Sequence, residues 1–264
     1  PVTAALGETA RIAIETPSVK GSIALKGARL DDLVLVRHKE TIKKDSPDVR
    51  LLSPAGTKRA YFASFGWIGD GFAVPDANTI WAANGTKLTP ETPVTLSWTN
   101  PTGQQFAIKL SVDKNYLFSA TQTVTNAGGT PIAVRPFSMI DRSFGANKNY
   151  SMFSHNVDVD AWTMHVGPLG DFNGGVDFET NYETLDEAGA AGKQVDSKGG
   201  WVGFGDTYWL TALVPSKDAT INGGFLKDGS TYRAYFGEAQ SNLAPGGTLT
   251  TSTRLFAGAK EVAL

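Results

Sequence analysis

An all-β fold of antiparallel sheets, stacked as a sandwich or closed as a barrel, follows from three features of these 264 residues. Short runs rich in β-branched and aromatic residues recur along the chain, each bounded by Gly, Pro, Asn or Asp, at the spacing such folds use. From Gln104 to Asn126 apolar and polar residues alternate with period two. Phe106, Ile108, Leu110 and Val112 oppose Ala107, Lys109 and Ser111; Phe118, Ala120 and Val124 oppose Ser119, Thr121, Thr123 and Thr125. That pattern requires one covered face and one wetter face. From Tyr208 to Val214 there is no charge, so this run is expected deep in a sheet covered on both faces. No composition break marks a linker, and a single domain over residues 1–264 is expected.

Taken in order, Thr9–Thr16 and Val19–Leu25 read as strands parted by Pro17, and Ala28–His38 as a third. The adjacent Asp31 and Asp32 invite an acid/base reading, but neighbours on a strand point to opposite faces, so a solvated edge or turn is expected. Lys39–Arg50 reads as a loop with a turn at Ser46-Pro47-Asp48, and Leu51–Pro54 as a brief return to the core. Tyr61–Ile68 is strand-like, with Gly66, Gly69 and Gly71 suggesting bends or bulges. A short strand is expected near Thr79–Ala82. Val94–Trp98, Gln104–Asp113 and Tyr116–Asn126 form a meander, and Pro131–Ile140 is expected to extend the same ribbon as its fourth strand.

Asn149–Val166 alternates weakly, and Gly167–Gly175 reads as irregular. Asn181–Gly189 reads as a short helix capped by Asn181 and stopped by glycine. Lys198-Gly199-Gly200 is a turn signal that opens an aromatic strand candidate. Thr220–Lys227 and Thr231–Gly237 form a hairpin about Asp228-Gly229-Ser230, Gly247–Ala257 is a last strand, and Lys260–Leu264 reads as the opening of a helix.

The 24 basic and 26 acidic residues leave a formal charge of −2, which gives a nucleic acid no electrostatic footprint. The absence of cysteine excludes disulfides, thiolate catalysis and Cys-based zinc sites. No apolar run reaches the roughly 18 residues of a membrane span, so these residues are expected to be soluble; a monomer is also expected. The missing initial methionine suggests an excised or mature fragment.

Chemistry-bearing residues are sparse. His155 and His165 share parity in a strand-like region, with Asp158 and Asp160 near, yet ten extended residues span about 33 Å, so only a chain reversal brings them together. His38 stands alone. Asp141-Arg142 is read as an ion pair, of little net worth if exposed. No Gly-x-Ser-x-Gly elbow or phosphate-binding loop occurs. Asn84-Gly85-Thr86 and Asn149-Tyr150-Ser151 match the glycosylation sequon. Of the six tryptophans, Trp98, Trp201 and Trp209 fall in apolar strand patterns, and the set, completed by Trp67, Trp81 and Trp162, is read as core and rim and not as a sugar platform.

The block Ser197-Lys198-Gly199-Gly200-Trp201-Val202, followed by Tyr208-Trp209-Leu210-Thr211-Ala212-Leu213-Val214-Pro215, resembles the signature of the periplasmic domains of the YidC membrane protein insertases. Glu8–Leu35, Gln105–Asn126 and Leu255–Lys260 resemble other parts of the family in order, with Ala259 where the family's closing turn often has proline. The resemblance implies a β-supersandwich similar to galactose mutarotase, with a short C-terminal helix. It also implies one transmembrane helix before Pro1 and the insertase bundle after Leu264. The domain would then be a non-catalytic periplasmic part of an inner-membrane protein, touching the Sec translocon, SecD and SecF among its components. The family offers no catalytic, cofactor or metal residues to carry over. The alternative is an aldose epimerase or sugar-binding module using His155 or His165 with Glu179 or Glu238 as the acid/base pair.

Overall fold

The computed structural model describes residues 1–145 and 165–261. The chain opens with a short helix α1 (Val2–Leu6), then runs through β1 (Arg11–Glu15), β2 (Val19–Ala24), β3 (Arg29–Lys39), β4 (Asp48–Leu52) and β5 (Tyr61–Gly69). Two short strands, β6 (Ala82–Ala83) and β7 (Lys87–Leu88), precede β8 (Val94–Thr99), β9 (Gln104–Val112), β10 (Leu117–Asn126) and β11 (Ile132–Ser143). The second half holds β12 (Gly167–Phe172), β13 (Gly175–Asp177), α2 (Tyr182–Ala188), β14 (Lys193–Lys198) and β15 (Trp201–Gly205). It ends with β16 (Trp209–Pro215), β17 (Thr220–Asp228), β18 (Thr231–Glu238), β19 (Ser241–Leu243) and β20 (Thr248–Ala259).

These strands form two sheets. One has eleven strands in the order β14-β17-β18-β11-β5-β3-β2-β1-β7, with β4 beside β3 and β19 beside β11; the other has nine, β13-β12-β15-β16-β20-β10-β9-β8-β6. Among the described residues all the pairings are antiparallel except β1 with β7. The inner faces meet in one apolar cluster that includes Trp67, Phe106, Phe118, Phe204, Phe225 and Phe236. Trp67 of the larger sheet meets Phe106 of the smaller edge-on at 5.1 Å. The single-file alternation of β9 and β10 is present residue for residue, inward side chains buried and outward ones exposed or half-exposed.

Polar groups also cross the interior. Gln122 donates to the Gly66 carbonyl at 2.7 Å, the Tyr61 and Thr211 hydroxyls meet at 2.6 Å, and Ser138 donates to Thr253 at 3.2 Å. Each joins one sheet to the other, and each satisfies a group that would be costly to bury alone.

Several expectations change. Pro131–Ile140 is not a fourth strand of the meander: β11 lies in the larger sheet between β5 and β18, and β20 takes the place beside β10. The Asn126 amide donates to the carbonyls of Thr130 and Leu243, fixing the point where the chain leaves one sheet for the other. Lys198-Gly199-Gly200 is likewise a crossing between sheets, from β14 to β15. Gly200 has φ +91°, and a Cβ there would stand 2.1 Å from the Asp171 carbonyl oxygen. Gly167–Gly175 is not irregular, because β12 and β13 form a hairpin whose Asn173 and Gly174 both have positive φ. Gly66 and Gly69 sit in unbroken register with Phe137 and Val134, and β4 begins at Asp48, within the expected loop.

The uncharged run is less enclosed than its composition suggests. Thr211, Ala212 and Leu213 are buried and Leu210 and Val214 half-buried, while Tyr208 precedes β16 and is 63% exposed. The Asn181 helix is as expected, with a capping box to Thr184 and Gly189 at its end. Of the helix expected over Lys260–Leu264, Lys260 and Glu261 have no helical structure and 262–264 lie outside the described residues, as does most of Asn149–Val166, with Asn149, His155 and Trp162.

Candidate functional site

The outer faces of the two sheets differ. On the smaller sheet Thr121, Thr123 and Thr125 of β10 pair hydroxyl to hydroxyl with Ser252, Thr250 and Thr248 of β20, at 3.1–3.3 Å. These groups satisfy one another and leave a flat polar surface. On the larger sheet two adjoining hollows of about 410 and 170 Å³ share Phe137, Met139 and Arg233 and form a groove.

The groove follows from period-two placement on three neighbouring strands. β11 presents Arg135, Phe137, Met139 and Asp141 outward, β18 presents Arg233 and Tyr235, and β5 presents Phe62, Ser64, Gly66 and Ile68. Gly66 makes room for the Phe137 ring, which a Cβ would meet at 2.6 Å, and Gly237 makes room for the Arg135 guanidinium. Arg135 donates to the Glu238 carbonyl at 2.7 Å, and Arg233 makes a two-pronged pair with Asp141 at 2.7 and 2.9 Å. Those two bonds hold the Arg233 guanidinium even more firmly protonated than usual. Ser64 Oγ, buried at the groove floor, has no hydrogen-bond partner. An apolar floor with a few oriented polar groups suits binding more than bond-breaking.

A second hollow of about 890 Å³ lies at the end of the sandwich, between α1, Lys58, Arg59, Tyr61 and Arg142. Arg142 is fully buried there. It donates to Asp206 Oδ2 at 2.8 Å and to the Tyr182 hydroxyl at 3.2 Å, with its guanidinium over the rings of Tyr61 and Phe144 at 4.4 and 4.7 Å. Burial disfavours its charge, yet Asp206 and the two phenols hold it protonated. Burial pushes the Tyr61 and Tyr182 hydroxyls well above the ordinary phenol range. The expected Asp141-Arg142 pair does not form: neighbours on β11 point to opposite faces, and each finds a different partner.

Asp31 and Asp32 are not solvated. The register of β2 against β3 shifts between Ser22 and Ile23, where Asp31 is the extra residue. Leu30 and Leu33 both remain in the core while the two acids take the positions between them, each less than a tenth exposed. Arg11 pairs with Asp31 and donates to Ser22, which donates to Asp32 at 2.7 Å; Asp32 also accepts from Arg50 at 2.5 Å. Burial pushes the Asp31 carboxyl up, and Arg11 opposes it.

The two described histidines lie apart. His38 Nε2 lies 3.1 Å from the Tyr116 hydroxyl and 3.3 Å from Glu261, and His165 Nε2 lies 2.6 Å from the Pro168 carbonyl. Glu179 borders a small hollow beside α2, and Glu238 stands half-buried on β18, its carboxyl pushed up by burial. Among the described residues no hydrogen bond joins a histidine to either, and no group of three His, Asp or Glu could hold a metal. Trp67, Trp81 and Trp209 are core, and Trp98 and Trp201 are half-buried. Sequence reasoning missed Arg135, Asp141 and Arg233 as a set. The signal was available in the two-residue spacing of Arg135, Phe137, Met139 and Asp141, but their convergence with β18 depends on pairing between distant strands.

Residues 11–264 match the family described as the YidC periplasmic domain. A membrane protein insertase YidC from Zymomonas mobilis is 45% identical over 99% of this chain, and one from Acidiphilium cryptum 41% identical over 96%; the matched region is 44% of each of those proteins. This chain therefore spans less than half the length of these relatives. Among solved structures, a galactose mutarotase-like protein from Lactobacillus casei superposes with a TM-score of 0.60 at 12% identity, over 94% of this chain and 99% of that one. That likeness is one of fold alone.

Proposed function

Because this chain belongs to the YidC periplasmic domain family, we propose that it serves as a non-catalytic docking body of a membrane protein insertase, on the periplasmic side of the bacterial inner membrane. In the whole protein a membrane helix precedes it and the insertase bundle follows it. It assists insertion and folding of inner-membrane proteins through contacts with the Sec translocon, SecD and SecF among them. The observation that carries this reading is the match along nearly the whole chain to proteins named as insertases. The two faces support it: one is a self-satisfied hydroxyl surface, and the other a groove with an apolar floor and two arginines, which makes the groove the candidate contact surface.

A photoreactive residue placed at Ile68 or Tyr235 in the full-length protein, in membranes that hold the Sec translocon, tests it. Adducts with SecD or SecF from the groove positions, and none from Thr123 on the opposite face, are expected. Adducts from neither face would remove the Sec contact.

A further inference from the structure

Of the two arginines in the groove, one is neutralised and the other is not. Arg233 gives its Nε and one Nη to the two oxygens of Asp141, so its charge is met in place. Arg135 gives only its Nε, and to a neutral acceptor, the Glu238 carbonyl. Among the described residues its two Nη groups have no acceptor and no carboxylate pairs with it. Burial alone acts on the Glu238 carboxyl, so that acid is not the counter-charge. The guanidinium is seated on β18 over Gly237, where a Cβ would meet its Nε, Nη2 and Cζ at 2.8–3.0 Å. Two residues back, the half-buried Tyr235 phenol lies in the fields of both Arg135 and Arg233, and its hydroxyl has no hydrogen-bond partner among the described residues. Apolar side chains flank the pair of arginines. β5 sets Ile68, 56% exposed, directly across from Arg135, and β17 sets Leu226 across from Arg233.

Resting on the reading of the groove as a contact surface, we propose that its hollow of about 410 Å³ takes an acidic segment of a protein partner. One Asp or Glu carboxylate of that segment accepts from the Arg135 Nη groups and the Tyr235 hydroxyl, and apolar neighbours of the acid cover Ile68 and Leu226. Charge complementarity selects this occupant. The guanidinium fork matches the two oxygens of a carboxylate, and one unpaired cation matches one negative charge. A phosphate dianion or an anionic lipid surface calls for further cations, but Arg233 is taken by Asp141. Asp196, bonded to Asn222 at the β14 side of the hollow, adds negative charge of its own. The apolar floor of Ile68, Phe137, Met139 and Leu226 suits side chains that flank the acid and gives an inorganic anion nothing to bind. Arginine and tyrosine are the side chains that most often anchor protein interfaces. Because Arg135 is only half-buried, salt weakens the charged part of the contact.

The test is selection from a displayed library of random peptides on the 264-residue chain at low salt. Enriched peptides are expected to carry one Asp or Glu between apolar residues. A resynthesised peptide is expected to bind about tenfold more weakly when that acid is replaced by its amide, and about tenfold more weakly to Arg135→Gln. Gly237→Ala keeps every charge but pushes the guanidinium off its seat, and it is expected to weaken binding several-fold. Thr123→Ala on the hydroxyl face is expected to leave binding unchanged, and vesicles of phosphatidylcholine with phosphatidylglycerol are expected not to displace the peptide. No enrichment, enriched peptides without an acid, or equal binding by wild type and the two groove variants overturns the proposal. Displacement by the anionic vesicles also overturns it, by making the occupant a lipid. No Sec component is present, so failure here leaves the proposed Sec contact standing, and loss of Sec adducts leaves the peptide site standing.

Discussion

Arg142 shows how much one buried charge depends on its partners. Its guanidinium belongs to the larger sheet, and Asp206 lies beyond the end of β15 in the smaller one, so their bond ties the two layers together. Arg142→Met removes the guanidinium hydrogen-bonded to buried Asp206 and leaves it only the fields of Arg59 and Lys260, and an unfolding titration is expected to lose about 3 kcal/mol. The double variant Arg142→Met with Asp206→Leu is expected to recover much of that loss. If the single and double variants cost the same, the pair is not what holds this region. Asp177 gives a pH test. Burial works to raise its carboxyl, but bonds from Lys193 and Thr180 outweigh it and hold the group below the ordinary carboxylate value. A depressed value favours the folded state above the unfolded-state value and loses that favour as pH falls through the folded one. The stability gap between wild type and Asp177→Asn is therefore expected to be widest near neutrality and to close below about pH 4. A gap that stays constant into acid would contradict the assignment.

The elements that sequence revealed well are those whose signals are local. The β8–β10 meander, the β17–β18 hairpin and α2 each carry their turn or cap within a few residues. The α2 box is testable: Asn181→Ala removes the side-chain acceptor for Thr184 N–H and is expected to cost about 1 kcal/mol. In a domain of this size that lowers the melting temperature by about 2–4 °C. What sequence could not reveal depends on distant pairing. β11 looked like a continuation of the meander because its alternation is the same in either sheet, and only its partners β5 and β18 decide. The β3 bulge, which rephases Asp31 and Asp32, is set by β2 and leaves no mark in the spacing. The glycine pair at the sheet crossing read as an ordinary turn. Its constraint is sharper: Gly200→Ala combines a left-handed backbone with a collision at 2.1 Å, whereas Gly229→Ala has φ +57° and nothing within 4 Å. The second is expected to cost about 1–2 kcal/mol and the first clearly more. Equal melting temperatures for the two would refute a close approach at the crossing.

At the scale of the molecule, the two sheets are held by an apolar core and oriented by the few polar bonds that cross it. The stack presents unlike faces, and among the described residues His165, Glu179 and Glu238 stand on different elements. The groove, by contrast, collects its residues from β5, β11 and β18, three consecutive strands inside the larger sheet. Its role is tested most directly by insertion of a nascent inner-membrane protein into vesicles that hold the Sec translocon and the full-length protein carrying this chain. With Ile68→Glu and Tyr235→Glu in the groove the inserted fraction is expected to fall several-fold, while Thr123→Glu on the hydroxyl face leaves it unchanged. Equal insertion by the groove variants and the wild type, with all of them folded, would contradict the account.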